Sequence, residues 1–201
     1  MIKALLLIFE PVMTWGRIAQ ARWKASSVLL LYLLPLLVLT LAGELAGLHY
    51  FGKAQEYLGK PQEFGGGKLR VTGDWLIAYG VAQFLSSLLL VALSAKMMKS
   101  LAQTFHSRQT YTQCFTVAAY AFGPFFLLRL CDILPSMNPW ATYAVGIVLT
   151  VATLYHGIPC VLEPDPPHAF GLYLSNVLLL ASLGAVGRYL TLLVLAQKIQ
   201  L

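Results

Sequence analysis

Two stretches decide how this chain reads: Ala118-Ala119-Tyr120-Ala121-Phe122-Gly123-Pro124 and, one helix later, Leu154-Tyr155-His156-Gly157-Ile158-Pro159-Cys160-Val161-Leu162. Each puts a Tyr a few residues before a Pro inside an apolar run. A proline there breaks backbone hydrogen bonding in the solvent least able to replace it. The pair therefore predicts membrane helices that are bent or interrupted.

Composition agrees. The chain has 201 residues, 58% of them apolar and 11% charged. A soluble domain carries about 45–50% apolar and about 25% charged residues, so a soluble surface is excluded. A membrane span needs about 20 apolar residues, which leaves room for several spans and for no separate soluble domain. The net charge of +6 reads as Lys and Arg in short loops, where they set orientation and meet anionic lipid. With no basic run or RNA-binding motif, nucleic acid is not an expected partner. Cys114, Cys131 and Cys160 lie in or beside apolar runs at spacings that match no metal or redox motif. They read as filler. Ala4–Phe9 is too short an apolar stretch for a cleavable signal and ends at Glu10.

Outward from the two motifs, five spans are expected: about 28–47 with Pro35 inside it, 75–95 closed by Lys96, 115–131, 139–162, and 169–197 interrupted by Arg188. Residues 1–24 form a separate N-terminal segment before the 25–201 transmembrane domain. On a helical wheel Val12, Trp15, Ala19 and Trp23 share one face, with Arg17 and Lys24 opposite and Arg22 on the flank. That pattern predicts an interfacial amphipathic helix, with Trp15 and Trp23 at headgroup depth and Arg17, Arg22 and Lys24 toward lipid phosphate. The sizeable loop, 48–74, contains Gly65-Gly66-Gly67 and is expected to be flexible, with a short helix near Ala54–Leu58. The fold class is thus all-α: a polytopic bundle of five transmembrane helices plus the interfacial helix. The Lys and Arg bias favours a cytoplasmic N-terminus and an outside C-terminus.

Charges inside spans cost about 2.5–3.5 kcal/mol each near the bilayer centre, so Glu44, Arg129, Asp132 and Arg188 call for partners. Glu44 lies sixteen residues past Val28, Arg129 fourteen past Phe115 and Arg188 nineteen past Ala169. At the helical rise these positions lie roughly 20–29 Å across the membrane, at similar depth. Glu44 is expected to pair with Arg129 or Arg188, and Asp132 to serve the other. The competing reading is an ion or substrate pathway, which would also need charge near mid-depth; Tyr120, Gln83 and hydroxyl groups are what is found there. Gly43 and Gly47 form a GxxxG spacing that reads as close packing within the bundle, with dimerisation as the alternative.

No metal is expected, because His106, His156 and His168 converge on no ligand spacing. No cofactor motif, catalytic triad or phosphate loop stands out. The chain reads as a non-enzyme.

The layout resembles the Yip1 family of five-helix membrane proteins over about Phe9 to Ala196. Phe9-Glu10-Pro11 with Trp15 and Ile18, Thr104-Phe105 with Thr110–Gln113, Tyr120 with Pro124, and Leu154, Tyr155, Gly157, Ile158, Pro159 and Leu162 carry the likeness. Where members often have glycines before the third span, His106-Ser107-Arg108 stands here. The resemblance makes Tyr120, Pro124, Tyr155, Gly157 and Pro159 the candidate binding residues. It implies a bacterial member in the cytoplasmic (inner) membrane. The long N-terminal extension of the eukaryotic proteins is not seen, so their Rab-type GTPase binding is not carried over. The expected function is a membrane scaffold or accessory subunit that binds other integral membrane proteins or lipid. The alternative is a small transporter or lipid-handling protein using the broken helices around Pro124 and Pro159.

Overall fold

The computed structural model describes residues 2–21, 23–51, 53–54, 68–69, 73–105, 109–134 and 136–195. Two short helices open the chain, α1 (Ile2–Phe9) and α2 (Pro11–Ala21). Five helices long and apolar enough to cross a membrane follow: α3 (Ala25–Tyr50), α4 (Trp75–Thr104), α5 (Tyr111–Ile133), α6 (Pro139–Leu162) and α7 (Pro167–Leu195). The chain is an all-α polytopic bundle. Between α3 and α4 the two-residue strands β1 (Lys53–Ala54) and β2 (Lys68–Leu69) pair antiparallel. The short helix expected near Ala54–Leu58 is therefore wrong at Ala54; residues 55–58 and the triple glycine lie outside the described residues.

α5 is the axis of the bundle. Of its most apolar window 78% is buried, against 33–44% for the other four spans. The outer helices show the inverse pattern of a soluble protein. On α4, Ile77, Val81, Leu85 and Leu89 recur every four residues on the exposed face, one stripe of a helix surface. The opposite face turns Tyr79, Gln83, Ser87 and Ser94 inward. Lys96 does not end α4, because it lies on the outer face while Ala95, Met98 and Ala102 keep the inner one apolar.

Each membrane proline coincides with a change of helix geometry. Pro35 follows a π-helical turn at Leu29–Leu33, and Pro159 lies inside another at Ile158–Leu162. Pro124 starts the segment Gly123–Leu128 after a break at Phe122. Proline lacks an N–H and its ring crowds the carbonyl one turn back; widening the turn relieves that crowding without leaving the helix. The N-terminus of α5 is set by a capping box, in which Thr110 Oγ1 accepts from the Gln113 N–H and Gln113 Oε1 accepts from the Thr110 N–H.

The GxxxG pair faces inward. A Cβ on Gly43 would meet the Leu130 and Ile133 side chains, and one on Gly47 would stand 2.6 Å from Ile133 Cα. α3 and the end of α5 thus approach too closely for any side chain at Gly47. Gly47→Ala is expected to destabilise the bundle by about 1–3 kcal/mol, the range for overpacking. Gly187→Ala, where a Cβ meets nothing within 4 Å, should be neutral or slightly stabilising. Unfolding in mild detergent, followed by circular dichroism, checks both.

Candidate functional site

Two features stand out, one toward each end of the bundle. At the end where α3, α5 and α7 finish and α4 and α6 begin, four charged side chains meet. Arg129 Nη2 donates to Glu44 Oε2 at 2.8 Å. Arg188 donates to Asp132 and stands 3.9 Å from Glu44 Oε1. The Tyr79 hydroxyl donates to Glu44 Oε1. Thr142 Oγ1 donates to Asp132 Oδ1 at 3.0 Å, and Arg188 also reaches the Pro139 carbonyl at 3.4 Å. All four charged residues are buried, and two carboxylates offset two guanidiniums. The cluster joins α3, α4, α5, α6 and α7, so every span is tied to it. The voids beside it are about 10–20 Å³, no more than a water-sized space. This is a closed ion-pair network. Among the described residues the voids beside it are too small for a path wider than a single water.

At the opposite end the two proline motifs and the N-terminal helices form one unit. Trp15 of α2 is fully buried, and a Cβ on Gly157 would stand 2.5 Å from its ring. The Trp15 ring meets Tyr120 edge-on at 6.2 Å, and Tyr120 lies against Tyr32 of α3 at 4.1 Å. A Cβ on Gly123 would strike the Tyr32 hydroxyl and touch Ala4 of α1. Gly157 and Gly123 are thus sockets: one receives Trp15, the other Tyr32 and Ala4. Lys3 of α1 places its ammonium 4.2 Å from the Trp23 ring centre and 5.8 Å from that of Tyr120, within cation–π range.

A family model for the Yip1 domain matches residues 5–187. The chain belongs to the Yip1 family. A search of curated proteins and of solved structures finds no match. The Yip1 domain is not a known enzyme family.

In this Yip1 protein the family motif is split between interior and surface. Tyr120, Pro124 and Gly157 are buried, whereas Tyr155 is 61% exposed and Pro159 is also exposed. The motif residues therefore do not converge on one pocket. The interfacial-anchor expectation is corrected at Trp15. It sits in the core with Thr14 and Ile18, while Val12 and Met13 take the exposed face. A helical wheel separates faces but does not say which apolar face packs on protein when the surrounding solvent is also apolar. Arg17, Trp23 and Lys24 are exposed, and Arg22 lies outside the described residues. Nor is the N-terminal segment one helix. α1 and α2 are separate, and both contribute to the core through Ala4, Leu7, Trp15 and Ile18.

A cavity of about 440 Å³ opens at this same end. Ile18, Ala19 and Trp23 form one wall, Thr110, Thr112, Gln113 and Thr116 of the α5 start another, and Cys160, Val161 and Glu163 of the α6 end the third. The π-helical turn frees carbonyls there. Gln109 donates to the Leu162 carbonyl and Gln113 to that of Val161 at 3.5 Å. Glu163 then ends α6 in the left-handed region, φ 39°. Gln109 is not singled out by the sequence, and Gln113 enters there only within the Thr110–Gln113 stretch of the family likeness; the Thr-x-x-Gln spacing of a capping box is the signal that marks its role. Beyond Thr116 the cavity stops, since one turn further in lies the buried Tyr120 with Trp15 and Tyr32 around it. No group of three or more His, Cys, Asp or Glu side chains that could hold a metal is found among the described residues.

Two substitutions test these arrangements. Glu44→Gln leaves Arg129 buried beside a neutral amide and should cost about 3–5 kcal/mol, as for breaking other buried pairs; retention of wild-type stability would remove the structural role of the cluster. Trp15→Ala should cost a similar amount, about 3–5 kcal/mol, through the void left over Gly157. Denaturant titration in mild detergent reads both.

Proposed function

We propose that this Yip1 protein is a non-enzymatic accessory protein of the membrane that binds a phospholipid in its one-ended cavity and presents it to neighbouring membrane proteins. The observation that carries the reading is that the cavity is blind. A space of about 440 Å³ lies within the range of small-molecule sites. It is lined by mixed apolar and hydroxyl-bearing walls and opens at one end of the spans, which suits a headgroup and the start of its acyl chains. It is backed by packed aromatic rings, and the opposite half of the bundle is held shut by four charges with only water-sized voids beside them. Of the alternative reading, lipid handling is retained and transport is not favoured: the broken helices around Pro124 and Pro159 receive Trp15, Tyr32 and glutamine side chains in place of a substrate. The Lys and Arg bias supports placing the cavity at the cytoplasmic face with the C-terminus outside, and the resemblance to bacterial members of the family supports an inner membrane.

The test is native mass spectrometry of the protein released from its own membrane in mild detergent. One phospholipid per chain is expected to survive. Ala19→Trp, which fills the cavity from α2, should abolish that adduct while leaving the melting temperature within a few degrees. Loss of the adduct from wild type, or its persistence in Ala19→Trp, would overturn the reading. Cross-linking before extraction should capture a stoichiometric membrane partner.

A further inference from the structure

We infer that the cavity selects a phospholipid whose headgroup ends in an ammonium, with Glu163 as its counter-charge; this rests on the lipid-binding reading above. The chain as a whole is basic, at +6, yet among the described residues that line the cavity the charged one is acidic. Glu163 is its charged lining residue, and no Lys or Arg is among the described residues lining it. The other polar lining groups are neutral: three threonine hydroxyls and the Gln113 amide.

Glu163 is also held in place. It follows directly on Leu162, whose carbonyl accepts from Gln109, while the Val161 carbonyl accepts from Gln113. The end of α6 is thereby pinned to the start of α5, which fixes the backbone position from which the Glu163 side chain extends. An anionic headgroup would face a like charge here. An ammonium finds an acceptor and keeps its N–H donors satisfied, because the carboxylate accepts charge-assisted bonds. Lys3, whose ammonium lies 4.2 Å from the Trp23 ring centre, is not among the residues lining the cavity and does not discriminate among headgroups. Glu163 does.

Because Glu163 is exposed, the selectivity is modest: about threefold, the scale of an ion pair at a wet rim. Protein reconstituted in vesicles of equal parts phosphatidylethanolamine, phosphatidylcholine and phosphatidylglycerol is extracted, and its bound lipid is counted by native mass spectrometry. Phosphatidylethanolamine should exceed phosphatidylglycerol about threefold. It should also exceed phosphatidylcholine, whose quaternary nitrogen offers no N–H. Glu163→Gln should bring the ratio to parity, and Glu163→Asp should keep part of it. Millimolar phosphoethanolamine should not displace the lipid. Enrichment of phosphatidylglycerol, an unchanged ratio in Glu163→Gln, or displacement by phosphoethanolamine overturns the inference. Lipid retained without headgroup preference refutes this inference alone; no retained lipid at all refutes the lipid-binding reading itself.

Discussion

Charge in hydrocarbon is the constraint on which the rest of this bundle depends. Glu44, Arg129, Asp132 and Arg188 come from three different spans and are buried, and each would be costly to insert alone. Only an arrangement that brings them together removes that cost. Tyr79 on α4 and Thr142 on α6 complete the acceptor set, so the requirement extends to all five membrane helices. It fixes their rotation and their relative height at one end. Close approach follows from it: Gly43 and Gly47 sit within a few turns of Glu44 and allow α5 to lie against α3. Larger residues there would hold Arg129 away from its carboxylate.

The other end is governed by a different shortage. Prolines in α3, α5 and α6 interrupt backbone pairing, and there is no water in the core to replace it. The chain answers with π-helical turns and with side chains from neighbouring elements. Gln109 and Gln113 take the carbonyls of Leu162 and Val161, respectively. The same irregularity that would weaken an isolated helix opens space between the α5 start and the α6 end. α1 and α2 cover the buried part of that space with Trp15 and Ala4 and leave the rest as the cavity. One half of the bundle is therefore locked by charge and the other is relaxed by proline. In the proposed function the second half does the binding because the first is closed.

Much of this was legible in the sequence, for physical reasons that can be named. Helical rise does not depend on sequence, so counting along the spans puts Glu44, Arg129 and Arg188 at one depth. Which carboxylate meets which guanidinium depends on helix rotation, and that is set by packing which no count supplies. Tyr79 reads as one more aromatic in an apolar run; its bond to Glu44 is visible only once α4 is placed. Trp15 misleads for the opposite reason. Apolar faces on a membrane protein point both to lipid and to core, and amphipathicity does not choose between them. α4 runs past Lys96, where the apolar run alone predicts a stop, because a lysine on the outer face of a helix near the interface can extend its ammonium toward water. The family motif gave the positions of the breaks but not their use. Gly157 and Gly123 matter as sockets, a property of the partners that fill them.

A density map of the protein in a lipid nanodisc, by single-particle electron microscopy with a rigid fiducial, tests the central claim most directly. Elongated density is expected inside the cavity bounded by Trp23, Gln113 and Glu163 and ending against Tyr120, with continuous side-chain density from Glu44 through Arg129 and Arg188 to Asp132 beyond it. An open channel running past Tyr120 to those charges, or charges standing apart on separated helices, would contradict it.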